Sequence, residues 1–220
     1  MCELHQRWKT LWNRIDHAVA QCGRAKGSVR LLAVSKFQST DAIRALYELG
    51  QRDFGENYVQ EALQKQAKLC DLKDLNWHFI GPVQRNKTLA IATHFDWVHS
   101  VDRFLIAQRL SEQRPEKLTP LQICLQVNVD AEDSKSGCKP DEVQSLVEAI
   151  MPLPAISLRG FMSIPAPGHI QTFSVLSSLI QQWPSMDTLS MGMSDDLEDA
   201  IRAGSTWVRV GTALFGKRAH

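Results

Sequence analysis

Lys36 stands directly after the apolar run in "VRLLAVSKF", where five of the seven residues from 29 to 35 are apolar. Such a run reads as a buried strand, and its end is a costly place for an ammonium group. Either the charge snorkels to water, or the amine does chemistry. A second pair of stretches, "SMGMSDD" and "RVGTALFG", carries glycines (Gly192, Gly211) and hydroxyls (Ser194, Thr212) of the kind that cradle an anion. Ordinary caps and turns are the alternative for these loops. Asp195 and Asp196 would repel a phosphate if turned inward, so they are expected on the outer face of a first helical turn, where they favour the helix dipole. A phosphate anchor opposite a strand-end lysine suggests a phosphorylated aldehyde held as a Schiff base. The amine must then be neutral, against an ordinary pKa of about 10.4, and both desolvation and a nearby cation would lower it. Arg209 is the candidate cation. It has no acceptor atom, so beside a pyridine nitrogen it would keep that nitrogen unprotonated.

These residues need a scaffold that brings them together. Leu4, Trp8, Leu11, Trp12, Ile15 and Val19 fall at helical spacing, with Gly23 as C-cap. Strand-then-helix units follow. The first pairs residues 29–35 with "TDAIRALYELG", where Thr40 is the expected N-cap and Gly50 the stop. Next come "RDFGEN" with "YVQEALQKQAKLC", "LNWHFIGP" with "NKTLAIATH", and "FDWVHSV" with "DRFLIAQRLSEQ". "PLQICLQVNV" precedes "PDEVQSLVEAIM", and "ISLRGFMSI" precedes a helix near "FSVLSSLIQQW". "MDTLSMG" precedes "SDDLEDAIRAG", and "TWVRVG" precedes the tail "TALFGKRAH". Strict alternation demands a parallel sheet. Eight units in ~200 residues suit an α/β closed (β/α)8 TIM barrel with an extra N-terminal helix, residues 1–220 forming a single domain. The rival is an open doubly wound sheet, but the turn "SKFQST" contains no glycine, let alone a dinucleotide fingerprint. Active sites of such barrels lie at the carboxyl ends of the strands, where Lys36, Asn57, His78, Asn128, Met162, Ser163, Ser190 and Arg209 would converge.

Composition removes several function classes. The 220 residues are 44% hydrophobic and carry 25 basic against 24 acidic residues, so no bulk electrostatic case for nucleic acid or membrane arises. No apolar run approaches the roughly 20 residues of a membrane span, and no signal peptide is evident. Five scattered cysteines without a CxxC pair fit a reducing cytosol rather than a disulfide framework or a zinc site. A soluble, cytoplasmic monomer or small oligomer is expected, with a monomer as the first expectation.

The whole chain resembles the pyridoxal phosphate homeostasis proteins, a fold-type III group built as one barrel like the alanine racemase N-terminal domain. The resemblance runs through "LLAVSK", "FGENYVQE", "WHFIGPVQRNK", "HSVDR", "SKSGC", "RGFMSIPAP", "TLSMGMSDDLEDAI" and "GSTWVRVGTALFG". It implies that Lys36 carries pyridoxal 5′-phosphate as an internal aldimine. Ser194, Gly211 and Thr212 would hold the phosphate, and Arg209 would face the pyridine nitrogen. Asn57, Met162, Ser163 and Ser190 would line the ring's pocket, with His78 just below it. The stretch 169–183 is shorter than is usual for the group, which leaves the sixth strand's helix open. Plain readings remain beside these. His78 also suits a satisfied core histidine, and His99 reads as structural. Asn57 could cap the helix that starts at Tyr58, Lys135 reads as solvated, and the six tryptophans read as packing.

A bound cofactor does not by itself make an enzyme. A racemase needs two bases on opposite faces of the substrate carbon, and in alanine racemases the second is a tyrosine from an added domain. This chain has two tyrosines: Tyr47, expected to face away from the mouth, and Tyr58. It stops soon after the eighth strand, which would leave a cofactor open to solvent and favour release. The expected function is therefore a non-catalytic carrier in vitamin B6 homeostasis, with delivery to PLP-dependent apo-enzymes as its least anchored part. A racemase-like enzyme using Tyr58, or a barrel that binds a sugar phosphate without cofactor, are the alternatives.

Overall fold

The computed structural model describes residues 2–130, 136–166 and 168–216, so Lys135 lies outside the described residues. In chain order the elements are α1 (Cys2–Gln21), β1 (Arg30–Val34), α2 (Thr40–Glu48), β2 (Asp53–Glu56), α3 (Val59–Lys68) and β3 (Asn76–Phe79). There follow α4 (Thr88–His94), β4 (Trp97–Val101), α5 (Phe104–Gln113), β5 (Leu121–Gln126), α6 (Val143–Ile150) and β6 (Ile156–Met162). The chain ends with α7 (Gln171–Ile180), β7 (Thr188–Ser190), α8 (Leu197–Arg202), β8 (Trp207–Val210) and α9 (Thr212–Phe215). The strands run parallel in sequence order, and β8 pairs back onto β1 with Leu32 opposite Arg209. That pairing closes the expected (β/α)8 barrel and rules out the open sheet.

Local chemistry accounts for most boundaries. The N-cap of α2 is Ser39, not Thr40: its hydroxyl accepts the Ala42 N–H at 3.2 Å, and Thr40 becomes the first helical residue. Gly50 then takes φ +98°, where a side chain would be strained. The helix left open after the sixth strand does form, because Phe173, Leu176 and Ile180 share one buried face of α7.

The strands alternate with period two, which the unbroken apolar runs conceal. One set of side chains, including Leu31, Ala33, Phe54, Phe161 and Val208, points outward and merges with the helices into one apolar shell. The other set points into the barrel. Its apolar members are Leu32, Trp97, Cys124, Met162 and Trp207, interleaved with buried His78, His99 and Arg209. Among the described residues no helix is long and apolar enough to cross a membrane. No group of three or more residues there could hold a metal ion.

Candidate functional site

At the carboxyl ends of the strands lies a cavity of about 520 Å³. Its wall includes Val34, Lys36, Asn57, Ile80, Ile164, Ser194, Arg209, Gly211 and Thr212. Two further hollows meet it at Asn57, one toward Gln84 and Lys87, the other toward Gln126 and Ser136. Lys36 enters because β1 points every second residue inward, from Arg30 through Leu32 and Val34 to position 36. Asn57 follows β2 in the same phase. It does not cap α3, whose N-cap is Tyr58, so its side chain belongs to the cavity. Gly81 sits against this residue so closely that a Cβ there would lie 2.3 Å from the Asn57 carbonyl oxygen. Only glycine fits.

Across the cavity, Arg209 ends a buried polar chain. Its Nη2 donates to the Ser163 carbonyl at 2.8 Å, and its Nη1 donates to the Ser190 carbonyl and, at 3.0 Å, to Ser190 Oγ. Ser190 Oγ lies 2.7 Å from His99 Nδ1, His99 Nε2 lies 3.0 Å from His78 Nδ1, and His78 Nε2 lies 3.2 Å from Asp53 Oδ1. The polarity of this chain follows from its ends. A carboxylate only accepts, so His78 Nε2 donates to Asp53, and with both rings neutral His78 Nδ1 accepts from His99. His99 then accepts from Ser190, whose oxygen accepts from Arg209. Burial lowers the pKa of His78, against the pull of Asp53, and lowers that of His99 further, helped by the Arg209 cation, so both imidazoles favour the neutral form. Burial opposes ionisation of Asp53, yet His78, Arg30 and Asn76 together hold its carboxyl below the usual value. Burial also brings the Arg209 guanidinium down to about 10, so it stays cationic at neutral pH.

The third wall is the pair of loops after β7 and β8. Gly192 has φ +94°, and a Cβ there would sit 2.6 Å from the Ala200 methyl group. Gly211 is less constrained, since its Cβ would lie 3.4 Å from the Val34 carbonyl oxygen. Ser194 does not start a helix: α8 begins at Leu197 after Asp196. Its hydroxyl instead accepts the Ala213 N–H at 3.3 Å and ties the two loops together. Thr212 does start a helix, a single turn. Of the two acidic residues expected outside, Asp196 Oδ1 accepts the Met193 N–H, whereas Asp195 borders the cavity because the chain enters α8 two residues later than expected.

Lys36, Asn57, Ser194, Arg209, Gly211 and Thr212 thus come together as expected. His78, Met162, Ser163 and Ser190 do not border the cavity. All four are buried: His78 lies in β3, Met162 ends β6, Ser190 ends β7, and Ser163, just past β6, offers its carbonyl to Arg209. His78 is the satisfied core histidine of the alternative reading, stacked on Trp97 at 5.6 Å. Two contributors were not read as site residues in the sequence. His99 joins the chain to Arg209. Arg14, on α1, reaches the cavity, where its guanidinium holds Glu198 at 2.7 and 2.9 Å and the Ser194 carbonyl at 3.0 Å. Neither has a local sequence signal, because each partner lies far along the chain.

The wall fits a phosphorylated pyridine aldehyde: an amine on one side, a fixed cation on the other, apolar Val34, Ile80 and Ile164 between, and small or hydroxylated residues at the loop end. Asn57 Oδ1 and Ser163 Oγ are buried without a hydrogen-bond partner. Orphaned polar atoms at and behind a cavity wall call for a polar occupant.

Known proteins point the same way. The family described as "Alanine racemase, N-terminal domain" matches residues 12–219. The pyridoxal phosphate homeostasis protein of Pseudomonas aeruginosa is 57% identical over 213 residues, covering 94% of this chain and 92% of that protein. Its counterpart in Escherichia coli is 47% identical over 219 residues, 94% of each chain. Among solved structures, PipY of Synechococcus elongatus with PLP bound is 39% identical, with a TM-score of 0.80 over 93% of this chain and 99% of its own. An alanine racemase of Clostridium difficile, at 13% identity and a TM-score of 0.76, shares the fold, and this chain spans 58% of it. On this evidence the chain belongs to the alanine racemase N-terminal domain family, within its branch of pyridoxal phosphate homeostasis proteins.

Proposed function

We propose that this chain binds pyridoxal 5′-phosphate reversibly, with Lys36 as covalent anchor, and acts as a carrier in vitamin B6 homeostasis rather than as a catalyst. One observation carries the reading: Lys36, Arg209 and the two loops bearing Ser194, Gly211 and Thr212 border a single cavity. The name of the relatives and the PLP-bound PipY structure support it. When bound, the cofactor supplies an aldehyde that condenses with an amine, releasing water, and a ring able to delocalise electrons. Lys36 provides the amine. Arg209, cationic and without an acceptor, gives the pyridine nitrogen no proton and so keeps the ring a poor electron sink. Ser194, Gly211 and Thr212 hold the phosphate end, and Asn57 offers its unpartnered amide oxygen to a donor.

The position of the tyrosines supports the carrier reading. Tyr47 bonds Asp74 at the opposite end of the barrel. Tyr58 is 51% exposed, lies against Phe37 at 5.2 Å and faces the neighbouring hollow, so no tyrosine borders the Lys36 cavity. A racemase would need such a second base. We read residues 1–220 as one cofactor-binding unit, monomeric and cytosolic, that passes its cargo to PLP-dependent apo-enzymes. Cys22, Cys70, Cys124 and Cys138 as free thiols agree with that compartment. The test is incubation of the loaded protein with single L-amino acids in deuterated water. The carrier reading expects neither α-proton exchange nor D-isomer beyond the level of Lys36→Ala. Turnover that Lys36→Ala abolishes would make the protein an enzyme.

A further inference from the structure

Both neighbours of Lys36 in the chain are fastened to one buried ionic cluster on β2 and α3. Lys65 is 6% exposed, and its Nζ donates to the Ser35 carbonyl at 2.6 Å and to Glu56 Oε1 at 2.7 Å. It also pairs with Glu61 Oε1 at 2.7 Å. Ser35 Oγ donates to the same Glu56 oxygen at 2.6 Å. On the other side of the lysine, the Phe37 N–H donates to Glu61 Oε1. Phe37 is the one non-glycine with positive φ among the described residues, at +63°. A bulky residue holds that conformation only where its surroundings impose it. Here the imposing groups are identifiable. Glu61 and Lys65 lie one turn apart on α3, on the same face, and so reach residues 35 and 37 together.

We propose that Glu61 and Lys65, braced by Glu56, are positioning residues that clamp the backbone on both sides of Lys36 and thereby aim its amine at the bound aldehyde. The proposal rests on the covalent role given to Lys36 above. A lysine side chain has four rotatable bonds, and an aldehyde anchored by its phosphate at the far wall reacts only with an amine held in the right place. Condensation joins Lys36 Nζ to the aldehyde carbon and expels the aldehyde oxygen as water, using both amine hydrogens. The clamp adds no atom to that exchange. It fixes where Nζ begins.

Glu61 is part-exposed, so its variants test the clamp without emptying the core. In ligand-free protein, Glu61→Ala should speed hydrogen exchange of the Phe37 amide by about tenfold or more. Added pyridoxal phosphate should then form its borohydride-reducible adduct on Lys36 about tenfold or more slowly. Glu61→Gln, which keeps an acceptor oxygen, should recover most of both. Lys65→Met, measured alongside, should slow adduct formation in the same sense. Unchanged adduct kinetics in Glu61→Ala, with wild-type protein labelled at Lys36, would overturn the clamp alone. Wild-type protein that leaves Lys36 unlabelled would overturn the covalent reading, and with it the purpose assigned to the clamp.

Discussion

The outer and inner faces of the same eight strands are built on different terms. Outward, Phe54, Phe161, Val208 and their neighbours meet the helices in an apolar layer whose energetics are those of burial. Inward, tryptophans and a methionine share the barrel with Asp53, two neutral histidines, Ser190 and Arg209, all linked by hydrogen bonds. Buried polar groups add little net stability even when fully paired, and are costly when one partner is lost. The outer layer therefore holds the barrel closed. The inner column fixes the cation that faces the cavity.

Truncation separates the two faces most sharply. Phe161→Ala, in the outer layer against Trp183, should lower unfolding free energy by about 3–5 kcal/mol. Urea denaturation would measure this, and cofactor affinity of the folded fraction should hardly move. A large loss of affinity at unchanged stability would show that the layers are not separable.

Acid probes the inner column next. His78 and His99 sit below their unfolded value, so between that value and their folded ones the unfolded chain binds more protons. Stability should accordingly fall as pH drops from 7 toward 5, by at most about 1.4 kcal/mol per pH unit for each histidine. Asp53, also lowered, contributes stability above its unfolded value and loses it only as pH falls through its folded one. Urea midpoints at pH 7 and pH 5 check the sign. A flat profile in wild-type protein would contradict a neutral buried pair.

The smallest expected change is Ser190→Ala, about 1–2 kcal/mol, because it orphans His99 Nδ1 and one Arg209 N–H. Nitrogen-15 NMR would sharpen it. In wild-type protein both histidines should carry their proton on Nε2, and His99 should lose that uniform state in Ser190→Ala.

Much of this was legible in the chain. Strand ends, loop glycines and the run before Lys36 carry local signals, and they led to the barrel, the cavity and six of its wall residues. What stayed hidden is what depends on distant pairing. His99 read as structural because nothing beside it names Ser190, 91 positions away. Arg14 went unread, since Glu198 stands 184 positions on. The period-two phase was masked in "LLAV", where both faces are apolar, so inner and outer positions could not be told apart. Met162, Ser163 and Ser190, expected in the pocket lining through the resemblance, are buried. Glu61 and Lys65 did have a signal, their four-residue spacing, but it looks the same on a solvated helix face.

The covalent anchor is tested most directly by reducing the protein with borohydride in the presence of pyridoxal phosphate and mapping the modified peptide by mass spectrometry. The account expects one stoichiometric adduct, on Lys36, absent from Lys36→Ala. Label spread over surface lysines with Lys36 unmodified would contradict it.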